Sequence, residues 1–191
     1  PNTEEELLEY CYFVAGAVGI LMARIMGVQQ SEVLLRACDL GLAFQLTNIA
    51  RDVVEDARAQ RYYLPQHWLN EQGLQADDLT NTDCSERIYP LVCRLVQMAE
   101  PYYQSANIGI RALPGRAAWA IATARAVYRD IGLQLLAQPS TVIQQRSYTR
   151  RSRKVWRITT GALQVAGGRM LSHRSVRNSA LWTPRSLNEW A

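Results

Sequence analysis

The run Gln45-Leu46-Thr47-Asn48-Ile49-Ala50-Arg51-Asp52-Val53-Val54-Glu55-Asp56-Ala57-Arg58-Ala59-Gln60-Arg61 decides how this chain is read. Asn48, Asp52 and Asp56 recur at four-residue spacing inside a segment of helical periodicity. Four residues advance an α-helix by about 400°, so these side chains climb one face with a drift of about 40° per step. Gln45 and Glu55 fall within the same arc, about 100° wide. The neighbouring arc holds Leu42, Ala43, Leu46, Ile49, Ala50, Val53, Val54 and Ala57. An acidic stripe bordered this closely by apolar residues differs from an ordinary solvated face. It predicts oxygen ligands turned toward a cavity, where carboxylates and the Asn48 amide oxygen suit Mg²⁺ and Arg51 suits phosphate oxygens. A DxxxD pair alone is a weak signal, because paired acids on a helix usually face solvent. Gln45, Asn48 and Arg51 strengthen it.

Outward from this run the periodicity is helical nearly throughout. Glu4 to about Met26 reads as one helix, capped by Asn2 or Thr3, with acids in its first turn and Gly27 as its stop. Ser31 reads as the cap of the helix that carries the acidic stripe, which runs to about Arg61 and ends before Leu64-Pro65. Pro65–Glu71 and Ala76–Leu79 read as short helical pieces. Ser85 reads as the cap of a helix to about Ala112, with Pro90 and Pro101 as candidate interruptions. Arg116 to about Gln138 and Ser152 to Met170 complete the set. No strand alternation persists. The expected architecture is all-α: one helical domain over residues 1–170, then a basic, Ser/Arg-rich tail over 171–191 read as disordered.

The 191 residues suffice for one domain with a substantial core. With 48% hydrophobic and 20% charged residues the composition is that of an ordinary globular protein. Four cysteines without a CxxC pair, and two histidines, point away from zinc and toward small buried hydrophobes in a reducing compartment. The uncharged apolar run Tyr10–Ala23 is shorter than the ~20 residues a spanning helix needs. No signal-peptide pattern is read, and a cytoplasmic location is expected. Charge is uneven: residues 1–140 hold 11 Lys+Arg against 16 Asp+Glu, whereas 141–191 hold 10 against 1. The densest basic cluster is Arg146, Arg150, Arg151, Arg153, Lys154 and Arg157. A solvated helix face is its first reading and an anionic membrane surface the second. Nucleic acid is not expected, because only Tyr148 and Trp156 interleave the cluster as stacking groups.

The run QLTNIARDVVEDARAQRYYLP resembles the second aspartate-rich signature of the squalene/phytoene synthase family. Tyr10-Cys11-Tyr12-Phe13-Val14-Ala15-Gly16-Ala17-Val18-Gly19 looks like that family's YCxxVAGxVG signature. Together the resemblance covers about residues 4–155 and is nearest to the bacterial phytoene synthase branch. It implies the class I isoprenoid synthase helical bundle. No second DxxxD occurs, so a bundle incomplete at its N-terminus is expected. The implied reaction joins two geranylgeranyl diphosphates head to head through a cyclopropylcarbinyl diphosphate to phytoene, with Mg²⁺, or Mn²⁺ in its place, and no nicotinamide cofactor.

The resemblance also implies roles. Asn48, Asp52 and Asp56 hold metal. Gln45, Arg51, Arg61 and Tyr128 contact the diphosphate, its metals or its water. Tyr10 acts in proton transfer or cation stabilisation, and Tyr63, the second catalytic candidate, contacts the diphosphate directly or through water. Val54 departs from the pattern, standing where many relatives carry glycine. The implied surroundings are a peripheral position on the inner face of a membrane and contact with other carotenoid-pathway enzymes. Two alternatives stay open: a sister enzyme making squalene or dehydrosqualene from farnesyl diphosphate, and a non-catalytic assembly factor with the same fold.

Overall fold

The computed structural model of the chain describes residues 1–137, 176–185 and 187, and among these it is helical with no strand. Helix α1 (Glu4–Cys11) starts where the Thr3 hydroxyl accepts the Glu6 N–H at 3.2 Å. Its three first-turn glutamates complement the positive helix end. A π-helical turn (Tyr12–Gly16) joins it to α2 (Ala17–Ile25), which Gly27 terminates at φ 88°. The sequence predicts one regular helix here, and the π-turn is the difference. The buried stripe steps from Cys11 to Gly16 to Ile20, five residues and then four, so the extra residue re-aims α2.

Helix α3 (Ser31–Arg58), about 42 Å long by its rise, is the centre of the bundle. Its cap is Gln30, not Ser31. Leu34, Leu42, Leu46 and Ile49 are its fully buried contribution to the core. After the short α4 (Gln66–Glu71) and two 3₁₀ turns (Ala76–Thr80 and Thr82–Cys84), α5 (Ser85–Ile110) runs unbroken through Pro90 and Pro101. Both prolines are exposed, as are Glu86 and Gln97, whose carbonyls the prolines leave without a helical partner, so the prolines do not break α5. Ser85 is the first residue of α5, and Cys84 is its cap. Helix α6 (Gly115–Ala137) closes the described body.

Helices α2, α5 and α6 all pack on α3. The approach of α2 is at backbone contact: a methyl group at Gly19 would stand 2.4 Å from the Ala37 carbonyl oxygen, and one at Gly41 would stand 2.3 Å from that of Ala15. The run Glu4–Ile25 and α3 are each long and apolar enough in composition to cross a bilayer, but α3 is mostly buried within the fold. The four cysteines are free, three of them buried.

The helix expected at 152–170 and the basic cluster at 146–157 lie outside the described residues. The tail read as disordered from 171 differs from that reading where it is described. Leu181 and Leu187 are buried, and Arg177 enters the body to meet Asp39. The Asp39 side chain is fully buried and Arg177 retains 8% exposure. Arg177 donates Nε–H to Oδ2 at 2.9 Å and an Nη2–H to Oδ1 at 2.7 Å. Its remaining donors go to the Thr183 hydroxyl and the Trp182 carbonyl, which folds the segment around its own arginine. Ser105 completes the set by donating its hydroxyl to Asp39. Composition misses this because the partner lies 138 residues upstream.

Candidate functional site

The acidic stripe lies in the last three turns of α3, above buried Leu46, Ile49 and Val53. Asn48 is half-buried, and its Oδ1 is a fully buried oxygen without a hydrogen-bond partner among the described residues. A buried, unsatisfied carbonyl oxygen costs free energy unless something completes it. One turn on, Arg51 grips Asp52, donating Nε–H to Oδ1 at 2.7 Å and a second bond to Oδ2. That bond to Asp52 holds the Arg51 guanidinium above its usual pKa. Another turn on, Asp56 meets Arg61 at 2.9 Å. Burial pushes the Asp56 carboxyl above the usual carboxylate range, Arg61 opposes this, and the neighbouring Asp52 charge adds to it.

Arg61 reaches Asp56 because α3 ends in a Schellman turn. Gln60 takes a left-handed φ of 58°, Gln60 N–H bonds Ala57 O at 2.9 Å, and Arg61 N–H bonds Asp56 O at 2.8 Å. The turn carries the chain on to Tyr63, whose ring stacks on Tyr10 of α1 at 4.9 Å and 24°. Burial, then a hydrogen bond with Tyr63, pushes the Tyr10 phenol up to about 12. Asp56 is close enough to add to that shift. The two sequence signatures, which begin 35 residues apart at Tyr10 and Gln45, therefore meet at one end of α3.

Tyr128 of α6 stands on the other flank, stacked on Phe44 at 4.3 Å and 29°, and it interacts electrostatically with Arg51. Behind it Tyr103 and Thr47 share a buried hydroxyl–hydroxyl bond of 2.8 Å, and Arg125 donates Nε–H to the Tyr103 carbonyl. Gln45 is half-buried, three residues before Asn48. All nine candidate residues are thus among the described ones. Seven of them gather around the end of α3, with Tyr128 beside Arg51 and Gln45 below. The two arginines expected to face a diphosphate sit on the carboxylates Asp52 and Asp56.

Below the stripe opens an apolar cavity of about 280 Å³, walled by Val14, Val18, Met22, Leu40, Phe44 and Ile121 among others. Phe44 sits one helical step before Asn48, so it continues the 48/52/56 stripe downward as its apolar member. The four-residue spacing from Asn48 is the sequence signal that marks Phe44. Tyr103 and Thr47 carry no such signal, since their partnership joins two helices.

Among the described residues no group of three or more His, Cys, Asp or Glu side chains is placed to hold a metal ion. The donor set here is two carboxylates and one orphaned amide oxygen. It is all oxygen, which is the chemistry a hard divalent cation takes, and it fits Mg²⁺ as one side of a site.

The sequence profile described as squalene/phytoene synthase matches residues 1–156. The chain belongs to the squalene/phytoene synthase family. It is 48% identical over 189 residues to a 15-cis-phytoene synthase of Enterobacter agglomerans, covering 99% of this chain and 61% of that one. It is 47% identical over 178 residues to the 15-cis-phytoene synthase of Pantoea ananas, covering 93% and 57%. The chain thus spans about three-fifths of the length of these relatives. Among solved structures it is similar to a dehydrosqualene synthase crystallised with a ligand, at TM-score 0.76 and 26% identity over 87% of this chain and 59% of that one. The squalene/phytoene synthase fold is therefore the isoprenoid synthase helical fold the sequence predicts.

Proposed function

We propose that this chain is part of a phytoene synthase, a prenyl transferase that joins two geranylgeranyl diphosphates head to head. The observation that carries the reading is the orphaned Asn48 oxygen. It lies between the carboxylates of Asp52 and Asp56 and an apolar cavity, which is the boundary an amphipathic prenyl diphosphate requires. The identity to phytoene synthases over almost the whole chain supports the same reading.

Asn48, Asp52 and Asp56 would hold Mg²⁺, which supplies charge neutralisation of the diphosphate leaving group. Arg51 and Arg61 sit beside the two carboxylates and bring positive charge to where phosphate oxygens would lie. The cavity takes the hydrocarbon and excludes water, so the allylic cation left by ionisation meets the second substrate's double bond instead of hydroxide. Tyr10 and Tyr63 flank the mouth with their stacked phenol rings. Their dipoles can stabilise a cation, whereas a stronger nucleophile would trap it. No reductant is needed for a product at the oxidation level of phytoene.

The test replaces the matching segment of the Enterobacter agglomerans enzyme with this chain and supplies geranylgeranyl diphosphate and Mg²⁺. The expected product is phytoene, identified by ultraviolet absorbance and mass. Asp52→Asn in the same chimera is expected to reduce the rate by 100-fold or more, about 3 kcal/mol of transition-state stabilisation. A C30 product from farnesyl diphosphate instead would place the chain with the squalene and dehydrosqualene branch. Absence of product from either substrate would leave the assembly-factor reading in front.

A further inference from the structure

The cavity runs along α3 away from the acidic stripe. Its α3 wall descends from Phe44 through Leu40 to Arg36 and Val33. Helix α2 lies antiparallel against it, as Gly19 meets Ala37 and Gly41 meets Ala15. Val14 is therefore level with the top of the cavity and Met26 with its far end. Leu113, just beyond α5, lies against the same end. There Arg36 presents only its stem, because its guanidinium is drawn aside by Glu32 at 2.8 Å and by the Ser105 carbonyl at 3.3 Å.

The helix itself measures the depth. Asn48 to Val33 is fifteen residues, about 22 Å at the α-helical rise. An extended isoprene repeat of four carbon–carbon bonds covers ~5 Å, from bonds of ~1.5 Å in a zigzag. A chain anchored at the level of Asn48 therefore ends near Cys38 if it carries three repeats (~15 Å) and near Leu35, about 2 Å short of Val33, if it carries four (~20 Å). We infer that Met26, Val33 and Leu113 form the floor that reads the fourth isoprene unit and so set the preference of this chain for a C20 over a C15 prenyl diphosphate. This rests on the assignment of Asn48, Asp52 and Asp56 as the diphosphate end. No residue of the floor belongs to either sequence signature.

The discriminating experiment is calorimetric titration of the Enterobacter agglomerans chimera that carries this chain, with Mg²⁺ present, with the non-ionisable C15 and C20 prenyl thiolodiphosphates. Burial of one extra isoprene unit is expected to make the C20 analogue bind about tenfold tighter. Val33→Phe and Met26→Trp each raise the floor from a different helix. Each is expected to bring C20 binding down to the C15 level while C15 binding stays within about twofold. Thermal melts show which variants are folded, and either one suffices. Equal affinities in the wild type, or a C20 preference that survives a raised floor, would overturn the ruler and leave the diphosphate assignment standing. Loss of both analogues on Asp52→Asn, with floor variants behaving as expected, supports both. A wild type that binds neither analogue in an Mg²⁺-dependent way sinks the diphosphate assignment, and the ruler with it.

Discussion

Tyr10 shows how a side chain acquires a chemical role from its surroundings. Its ring is stacked on Tyr63, its hydroxyl is bonded to the same residue, and Asp56 adds negative charge nearby. Burial acts first, and all three effects oppose ionisation, so the phenol is pushed to about 12. At any physiological pH this group is a dipole and a proton donor, not a base. In the alkaline range the unfolded chain loses the Tyr10 proton near pH 10 while the folded chain keeps it, so the folded state binds more protons and stability falls as pH rises from about 10 to about 12. A spectrophotometric titration of the wild type minus that of Tyr10→Phe should show one phenol ionising near pH 12. A difference spectrum centred at pH 10 would contradict the stacked pair. At this scale the sequence was generous. The 48/52/56 spacing placed three oxygens on one helical face because periodicity is a local property. It was silent on the partners of Arg51 and Arg61, because those depend on rotamers and on the left-handed turn at Gln60.

Among the elements, the junction of α2 with α3 is the most constrained. Glycine serves at Gly19 and Gly41 because each faces a carbonyl oxygen of the opposite helix at a distance no methyl group can occupy. Small residues in the run 15–19 suit either close helix packing or an open pocket. The structure uses them for both: Gly19 faces the α3 backbone while Val14 and Val18 wall the cavity. Gly41→Ala must push the π-turn, and α2 that follows it, away from α3. It is expected to destabilise the fold by about 1–3 kcal/mol, measured as a lower urea midpoint at unchanged slope. An unaltered midpoint would mean that the two helices stand further apart than described. The π-turn escaped the sequence reading for a specific reason. A one-residue phase slip displaces the apolar stripe by only about 100°, and alanine and glycine on either side blur the stripe's edges. The prolines of α5 misled in the opposite direction, since a proline on the wet face of a helix costs it far less than one facing the core.

Across the whole molecule the Arg177–Asp39 pair joins the chain's late residues to its central helix. A buried pair of this kind is weak evidence of net stability, but removal of one partner is costly because the other stays behind as an uncompensated charge. Arg177→Met is expected to cost about 3–5 kcal/mol, and Asp39→Leu combined with it to recover most of that loss, as read from denaturant midpoints. Equal stability of Arg177→Met and wild type would show that the segment 176–187 does not stay docked in solution. Composition alone cannot find such a contact, because a polar, arginine-rich segment looks unstructured until its buried acid is known. The same separation matters while the protein is being made. Translation delivers about 5–20 residues per second, so Asp39 waits roughly 7–28 s for Arg177 to emerge. Through that interval α3 must be assembled around a carboxylate with no cation to answer it. The central helix thus completes its packing only after Arg177 has emerged, and a chain that stops between Asp39 and Arg177 carries in its core a carboxylate without its arginine.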